Sequence, residues 1–126
     1  MEFLLDSVIL IDYLNDVDEA VEYLPQVEDT VSISVVTRAE VLTGFDAPSR
    51  ALAVEFLDNF PLLEITKSIA DLAADLRREQ GWKLPDAFQA ALAAHHDLKL
   101  VTRNTRDFSP QRHGFVVVPY TLGTEG

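Results

Sequence analysis

The chain of 126 residues contains no cysteine. That excludes disulfides, thiolate nucleophiles and zinc ribbons, and it suits a reducing, cytoplasmic setting. Glycine and proline are few, at five and six, against 48% hydrophobic residues, a balance that argues for a globular rather than a disordered chain. No apolar stretch approaches the ~18–20 residues needed to cross a bilayer, so no membrane segment is expected. Glu2 stands where a signal peptide wants Lys or Arg, which argues against secretion. Basic residues are missing from one end: positions 1–37 hold no Lys or Arg, while nine of them are Asp or Glu.

What is present bounds the answer further. The length fits one domain, spanning 1–126, with about 121–126 expected to be a frayed tail. The net charge of −11 argues at first against a nucleic-acid partner. Its distribution softens that argument, because residues 77–112 carry seven of the ten basic residues against four acids. A local basic surface can therefore coexist with a negative total; a purely solubilising surface is the competing reading.

Residues 2–5 read as a short buried strand, and Ser7 to Asn15 as a helix capped by Asp6 or Ser7. A second, acidic helix is predicted from about Asp18 to Leu24, stopped near Pro25. TVSISV has the β-branched alternation of a strand, and VVTRAEVLTG follows as a helix capped by Ser34 and ended by Gly44. Pro48-Ser49 opens a further helix that ends before Pro61, and LLEI reads as a strand. Thr66 caps KSIADLAADLRREQ, which Gly81 closes, and PDAFQAALAAHH places a proline in its first helical turn. LKLVT and GFVVVPY are the remaining strands, joined by RNTRDF. Strands alternating with helices imply parallel crossovers and a three-layer α/β/α domain. In such sheets ligands gather at the carboxyl ends of the strands, near a topological switch point, and Asp6 and Thr102 both lie just past a predicted strand.

The carboxylates at these places each have two readings. Asp6 is a good helix cap, a role worth roughly 1 kcal/mol. Glu40 lies at the edge of an apolar face formed by Val35, Val36, Ala39 and Leu42; it either reaches for solvent or needs a partner. Asp86 complements a helix N-terminus, yet shares its face with Ala90 and Ala93, small residues that suit a cleft floor or tight packing. Thr102, Asn104 and Asp107 follow a buried strand, where Asn and Asp commonly form turns. Tyr13, Trp82 and the phenylalanines have core spacing, and His95, His96 and His113 lack metal-ligand spacing. Several carboxylates sharing one cleft repel one another unless a cation sits between them, and an all-oxygen donor set favours Mg²⁺ or Mn²⁺.

The same four stretches carry a family pattern. LLDSVILIDYL resembles the opening of PIN-domain ribonucleases, especially the VapC toxins of prokaryotic toxin–antitoxin pairs. SVVTRAEVLTG, LPDAFQAALA and LVTRNTRDF resemble their second, third and fourth motifs, in order and at matching spacing over essentially the whole chain. The resemblance implies a PIN-like fold and an acidic pocket for one or two Mg²⁺ or Mn²⁺ ions. Asp6, Glu40 and Asp86 match the three core acids. Asn104 stands where many relatives have an acid; it can coordinate or orient water but adds no charge, which Asp107 would supply. Ser7 and Thr102 match supporting hydroxyl positions.

The resemblance further implies an endoribonuclease in which the bound ion activates a water for attack on RNA. It also implies a cognate antitoxin and a homodimer. Carboxylates do not attract phosphate, so Arg103, Arg106, Arg77, Arg78 and Lys83 are the candidate RNA contacts. A PIN-like interaction module with little or no nuclease activity is the alternative. A phosphoryl-transfer receiver domain is disfavoured, since the first strand is followed by one Asp rather than a pair and no Lys accompanies VVVPY.

Overall fold

A computed structural model describes residues 2–123. Of residues 121–126, the expected frayed tail, 124–126 lie outside the described residues. Five short parallel strands form one sheet: β1 (Phe3–Leu5), β2 (Val31–Ser34), β3 (Leu62–Leu63), β4 (Lys99–Val101) and β5 (Val116–Val117). Their spatial order is β3-β2-β1-β4-β5, so the chain leaves β1 toward one side for β2 and β3 and returns to its other side for β4. The reversal puts a switch point between the carboxyl ends of β1 and β4.

Side chains alternate across the sheet and build a core on each face. Leu5, Ile33 and Val101 face α1 (Ser7–Leu14), α2 (Asp18–Val27), α3 (Val35–Leu42) and α4 (Ala47–Leu57), meeting Ile9, Leu10, Leu24, Val41 and Leu57. Leu4 and Leu100 point the other way, to α5 (Lys67–Gln80) and α6 (Leu84–His96), meeting Ile69, Ala73, Ala87 and Ala91. The result is the expected three-layer α/β/α arrangement with a parallel sheet in the middle. Alanines at the α5–α6 contact remove bulk where the two helices pack against each other.

The helix ends follow their cap residues. Ser34 Oγ accepts from the Thr37 N–H at 3.0 Å, and Thr66 Oγ1 from the Ile69 N–H at 3.3 Å. Gly81 takes φ 74°, the left-handed conformation that closes α5 without a Cβ penalty. Two helix boundaries depart from the sequence-based expectation. α2 runs through Pro25 to Val27, and the Gln26 amide donates to the Glu22 carbonyl at 3.0 Å, taking up an acceptor beside the proline. Gly44 does not close α3 by a left-handed turn: the helix ends at Leu42, and Thr43 Oγ1 donates to the Ala39 carbonyl at 2.8 Å.

The buried face of α3 also differs from the expected one. Thr37, Val41 and Leu42 are buried, Val35 and Val36 only partly, and Ala39 is exposed. Hydrogen bonds to Thr37 decide the rotation, since its hydroxyl reaches the Leu5 carbonyl at 3.3 Å inside the core. Glu40 is thereby turned outward, beside α1.

Candidate active site

A cavity of about 540 Å³ opens where β1 and β4 end. Asp6, Ser7 and Val8 line it from the start of α1, Glu40 from α3, Asp86 from the first turn of α6, and Arg103, Asn104, Thr105 and Arg106 from the segment after β4. Five of the expected site residues, Asp6, Ser7, Glu40, Asp86 and Asn104, are thus brought to one place. Thr102 lies beneath them, fully buried.

Asp6 is held rigidly. It is 6% exposed, and its backbone N–H donates to the Val101 carbonyl at 2.9 Å, tying the end of β1 to that of β4. Its Oδ1 accepts from the Ser7 N–H at 2.9 Å and from Gln89 Nε2 at 3.1 Å; its Oδ2 accepts from Thr102 Oγ1 at 2.8 Å. Asp6 is therefore the cap of α1 and a cavity wall at once. Thr102 Oγ1 in turn accepts from the Asn104 N–H at 3.0 Å, which fixes the start of the following loop.

Glu40 and Asp86 are held more loosely. Glu40 Oε1 accepts from Ser7 Oγ at 3.0 Å. Partial burial and the charge of Asp6 raise its pKa, with the Ser7 bond working against them. The carboxyl of Asp86 is pushed up to about 6, first by burial and then by the negative charges of Asp6, Asp107 and Glu40, while Lys83 pulls the other way. An acid raised by three like charges marks a place where negative potential is concentrated.

Asn104 and Asp107 form a pair of their own: Asn104 Nδ2 donates to Asp107 Oδ2 at 3.0 Å. The Asp107 carboxylate acts on Asp86 through its charge, and its residue does not line the cavity. The Asp107 carbonyl accepts from Trp82 Nε1 at 2.9 Å, anchoring the loop to the α5–α6 connection. All these donors are oxygens, the ligand chemistry of a hard divalent ion. The acids surround the cavity without closing on one point: among the described residues, no group of three or more His, Cys, Asp or Glu is gathered where it could already hold a metal ion.

The candidate RNA contacts separate. Arg106 is exposed and lines the cavity, and Arg103 lines it too. Arg103 is engaged with Asp12, through Nε at 2.6 Å and Nη2 at 2.9 Å. Lys83 is exposed and close enough to act on Asp86. Arg77 and Arg78 lie in the last turn of α5, outside the cavity lining, and Arg77 donates to the Trp82 carbonyl at 3.0 Å.

Sequence reasoning missed two residues that shape the site. Gln89, 1% exposed, bonds Asp6 from α6; its lone polarity within an alanine-rich buried face was the available signal. Asp12, 5% exposed, holds Arg103 and accepts from the Tyr120 hydroxyl at 2.9 Å. Burial works to raise the Asp12 carboxyl, but the bonds from Arg103 and Tyr120 and the guanidinium charge outweigh it, and the pKa is lowered. The three histidines lie apart from the cavity lining: His95 and His96 are exposed at the end of α6, and His113 packs on Trp82 and Phe115.

This arrangement, a parallel sheet with acids from three elements lining a cavity at its switch point, defines a class. The PIN domain family model matches residues 3–111, and the chain belongs to that family. It is similar, at 35% identity and a TM-score of 0.86, to a chain of a toxin–antitoxin complex from Klebsiella pneumoniae, covering 96% of this chain and 100% of that one. FitAcB from Neisseria gonorrhoeae is 23% identical with a TM-score of 0.75, covering 95% and 99% of the two chains. VapBC2 from Rickettsia felis, bound to a DNA fragment from its promoter, is 19% identical with a TM-score of 0.75, covering 93% and 96%. The last two likenesses are of fold. No curated protein matches the chain in sequence. Among the described residues no helix is long and apolar enough to cross a membrane.

Proposed function

We propose that the chain is a metal-dependent endoribonuclease, hydrolysing RNA phosphodiester bonds as the toxin of a toxin–antitoxin pair. One observation carries the reading: Asp6, Glu40 and Asp86, from three separate elements, line a single open cavity, and their mutual repulsion helps to lift Asp86 to about 6. A cluster that repels itself in this way is suited to a cation. Asp6, Glu40 and Asp86 would hold Mg²⁺ or Mn²⁺, with Asp107 adding charge from behind. When bound, the ion supplies an acidified water and neutralises charge on the phosphoryl group.

The chain's own residues divide the remaining work. Asp6 is fixed by three donors, whereas Glu40 is exposed and Asp86 half-buried, so these two carboxylates would be the ones free to adjust to a cation held beside Asp6. Asn104 orients water or substrate at the cavity wall. Arg106 draws the phosphate backbone in, and Arg103, held by Asp12, offers a fixed guanidinium at the rim. An antitoxin partner is supported by the likeness to the Klebsiella complex. A homodimer and a cytoplasmic setting complete the reading.

A PIN-like interaction module is the second reading. It is favoured by the absence of a closed acidic ligand set among the described residues and by the use of Asn104 and Asp107 on each other. Cleavage of a mixed tRNA and single-stranded RNA panel, with EDTA, Mg²⁺ or Mn²⁺, separates the two. Metal-dependent cleavage that disappears in Asp6→Asn/Asp86→Asn supports the nuclease. Silence in all lanes from a folded protein supports the module.

A further inference from the structure

Gln89 is the only residue of α6 whose polar side chain is fully buried among the described residues. Burying an amide is costly unless every polar atom is bonded, and here the bonds are made. Nε2 donates to Asp6 Oδ1 at 3.1 Å and to Thr37 Oγ1 at 2.7 Å, and Oε1 accepts from Ser34 Oγ at 2.7 Å. All three partners belong to other parts of the fold: the ends of β1 and β2 and the first turn of α3.

The direction of each bond follows from its neighbours. Ser34 Oγ already accepts from the Thr37 N–H, so its own proton goes to Gln89 Oε1. Thr37 Oγ1 gives its proton to the Leu5 carbonyl, so it accepts from Gln89. A carboxylate only accepts, which leaves Nε2 as the end of the amide that faces Asp6. The ring of bonds thus sets the amide one way round.

That orientation decides which part of Asp6 remains available. Oδ1 accepts from both Ser7 N–H and Gln89, using its two lone pairs. Oδ2 accepts only from Thr102, leaving a single lone-pair direction. We infer that Gln89 is a positioning residue of this site, locking Asp6 so that one oxygen, Oδ2, meets an incoming divalent cation in a monodentate manner. The inference rests on the metal-site reading above. It also assigns Ser34 and Thr37, which do not line the cavity, to the support of Asp6.

Mn²⁺ binding measured by calorimetry on the intact chain tests it, with Gln89→Met and Thr37→Val beside the unaltered protein. Partners that orient a metal ligand typically carry about 10–100-fold in metal affinity. Gln89→Met keeps the volume and removes the donor, so its Mn²⁺ dissociation constant should rise by that factor, with kcat falling and KM for RNA unchanged. Thr37→Val keeps the amide but removes one anchor, so its effect should be in the same direction and smaller; it carries the test if Gln89→Met fails to fold. Variants that melt earlier yet bind Mn²⁺ as the unaltered protein does would show a purely structural role and overturn the inference alone. No Mn²⁺ binding by the unaltered protein would overturn the metal-site reading and the inference with it.

Discussion

The hydroxyl of Thr102 donates to Oδ2 of Asp6 across 2.8 Å, joining the residues that follow the central strand β1 and its neighbour β4. The same hydroxyl accepts from the Asn104 N–H, so one oxygen orders both the carboxylate and the loop. Thr102→Val keeps the shape and removes both bonds inside a fully buried site. A loss of about 1–3 kcal/mol is expected by urea unfolding, because a part-buried N–H and a buried carboxylate lose their partners. RNA cleavage should drop with it, while Thr102→Ser retains most of both. A Thr102→Val protein that cleaves at the unaltered rate would contradict the role given to this bond.

Asp86 makes folding depend on pH in a definite direction. Its pKa rises from 3.8 to about 6 on folding, so between those values the folded chain binds the proton and the unfolded chain has released it. The favourable contribution of that proton is present at low pH and is lost as pH rises through about 6. Above that, the folded protein carries the charge at a cost. Asp86→Asn carries none, so in EDTA at pH 7.5 its melting temperature should exceed that of the unaltered chain by about 2–5 °C. The two should converge near pH 4. Cleavage should be lost at the same time, a variant more stable and less active. Equal melting temperatures at pH 7.5 would show that neither burial nor the neighbouring acids disfavour the Asp86 charge.

The three-layer arrangement and the gathering of Asp6, Glu40 and Asp86 around one cavity were legible from the sequence because they rest on local signals. Cap residues such as Ser34 and Thr66 and the left-handed Gly81 act within one turn, and acids placed directly after strands inherit the switch point. The rotation of α3 was not legible, because the hydroxyl of Thr37 is buried by a bond to Leu5, 32 positions away in sequence. The ion pair that holds Arg103 was not legible either, because its partner Asp12 lies 91 positions away. Gln89 and Asp12 act through long-range bonds that no spacing rule encodes. Pro25 read as a stop, yet α2 continues two residues past it.

Asp12, Arg103 and Tyr120 join α1, the loop after β4 and the segment after β5. Asp12→Asn removes the carboxylate charge that holds the Arg103 guanidinium in a mostly buried place, and breaking a buried pair of this kind costs up to about 3–5 kcal/mol. Tyr120→Phe removes a single neutral donor and should cost about 1 kcal/mol. Because the folded pKa of Asp12 is lowered, its contribution is present above about pH 4 and is lost as pH falls through the folded value. Chemical unfolding of both single variants and the double variant checks the coupling. Simple addition of the two losses would show that Tyr120 acts independently of the ion pair.

Arg103 and Arg106 both line the cavity, but they should answer salt differently. The charge of Arg103 is matched by Asp12 at 2.6 Å, so at a distance the pair exerts little net attraction on a phosphate backbone. Arg106 is exposed, and its charge reaches solvent at the mouth of the site. Each phosphate neutralised on single-stranded RNA contributes about 0.7 to the slope of log affinity against log salt. In an Asp6→Asn background, which prevents cleavage during the titration, adding Arg106→Ala should weaken binding at low salt and flatten the slope by about that amount. Arg103→Ala should instead lower the melting temperature, since it strands Asp12, and change the slope less. The titration is a fluorescence anisotropy measurement on a labelled RNA between 50 and 200 mM salt, the range over which such slopes are resolved. An unchanged slope for Arg106→Ala would mean that RNA approaches this cavity without its help, and would move the search for the electrostatic contact to Lys83 beside Asp86.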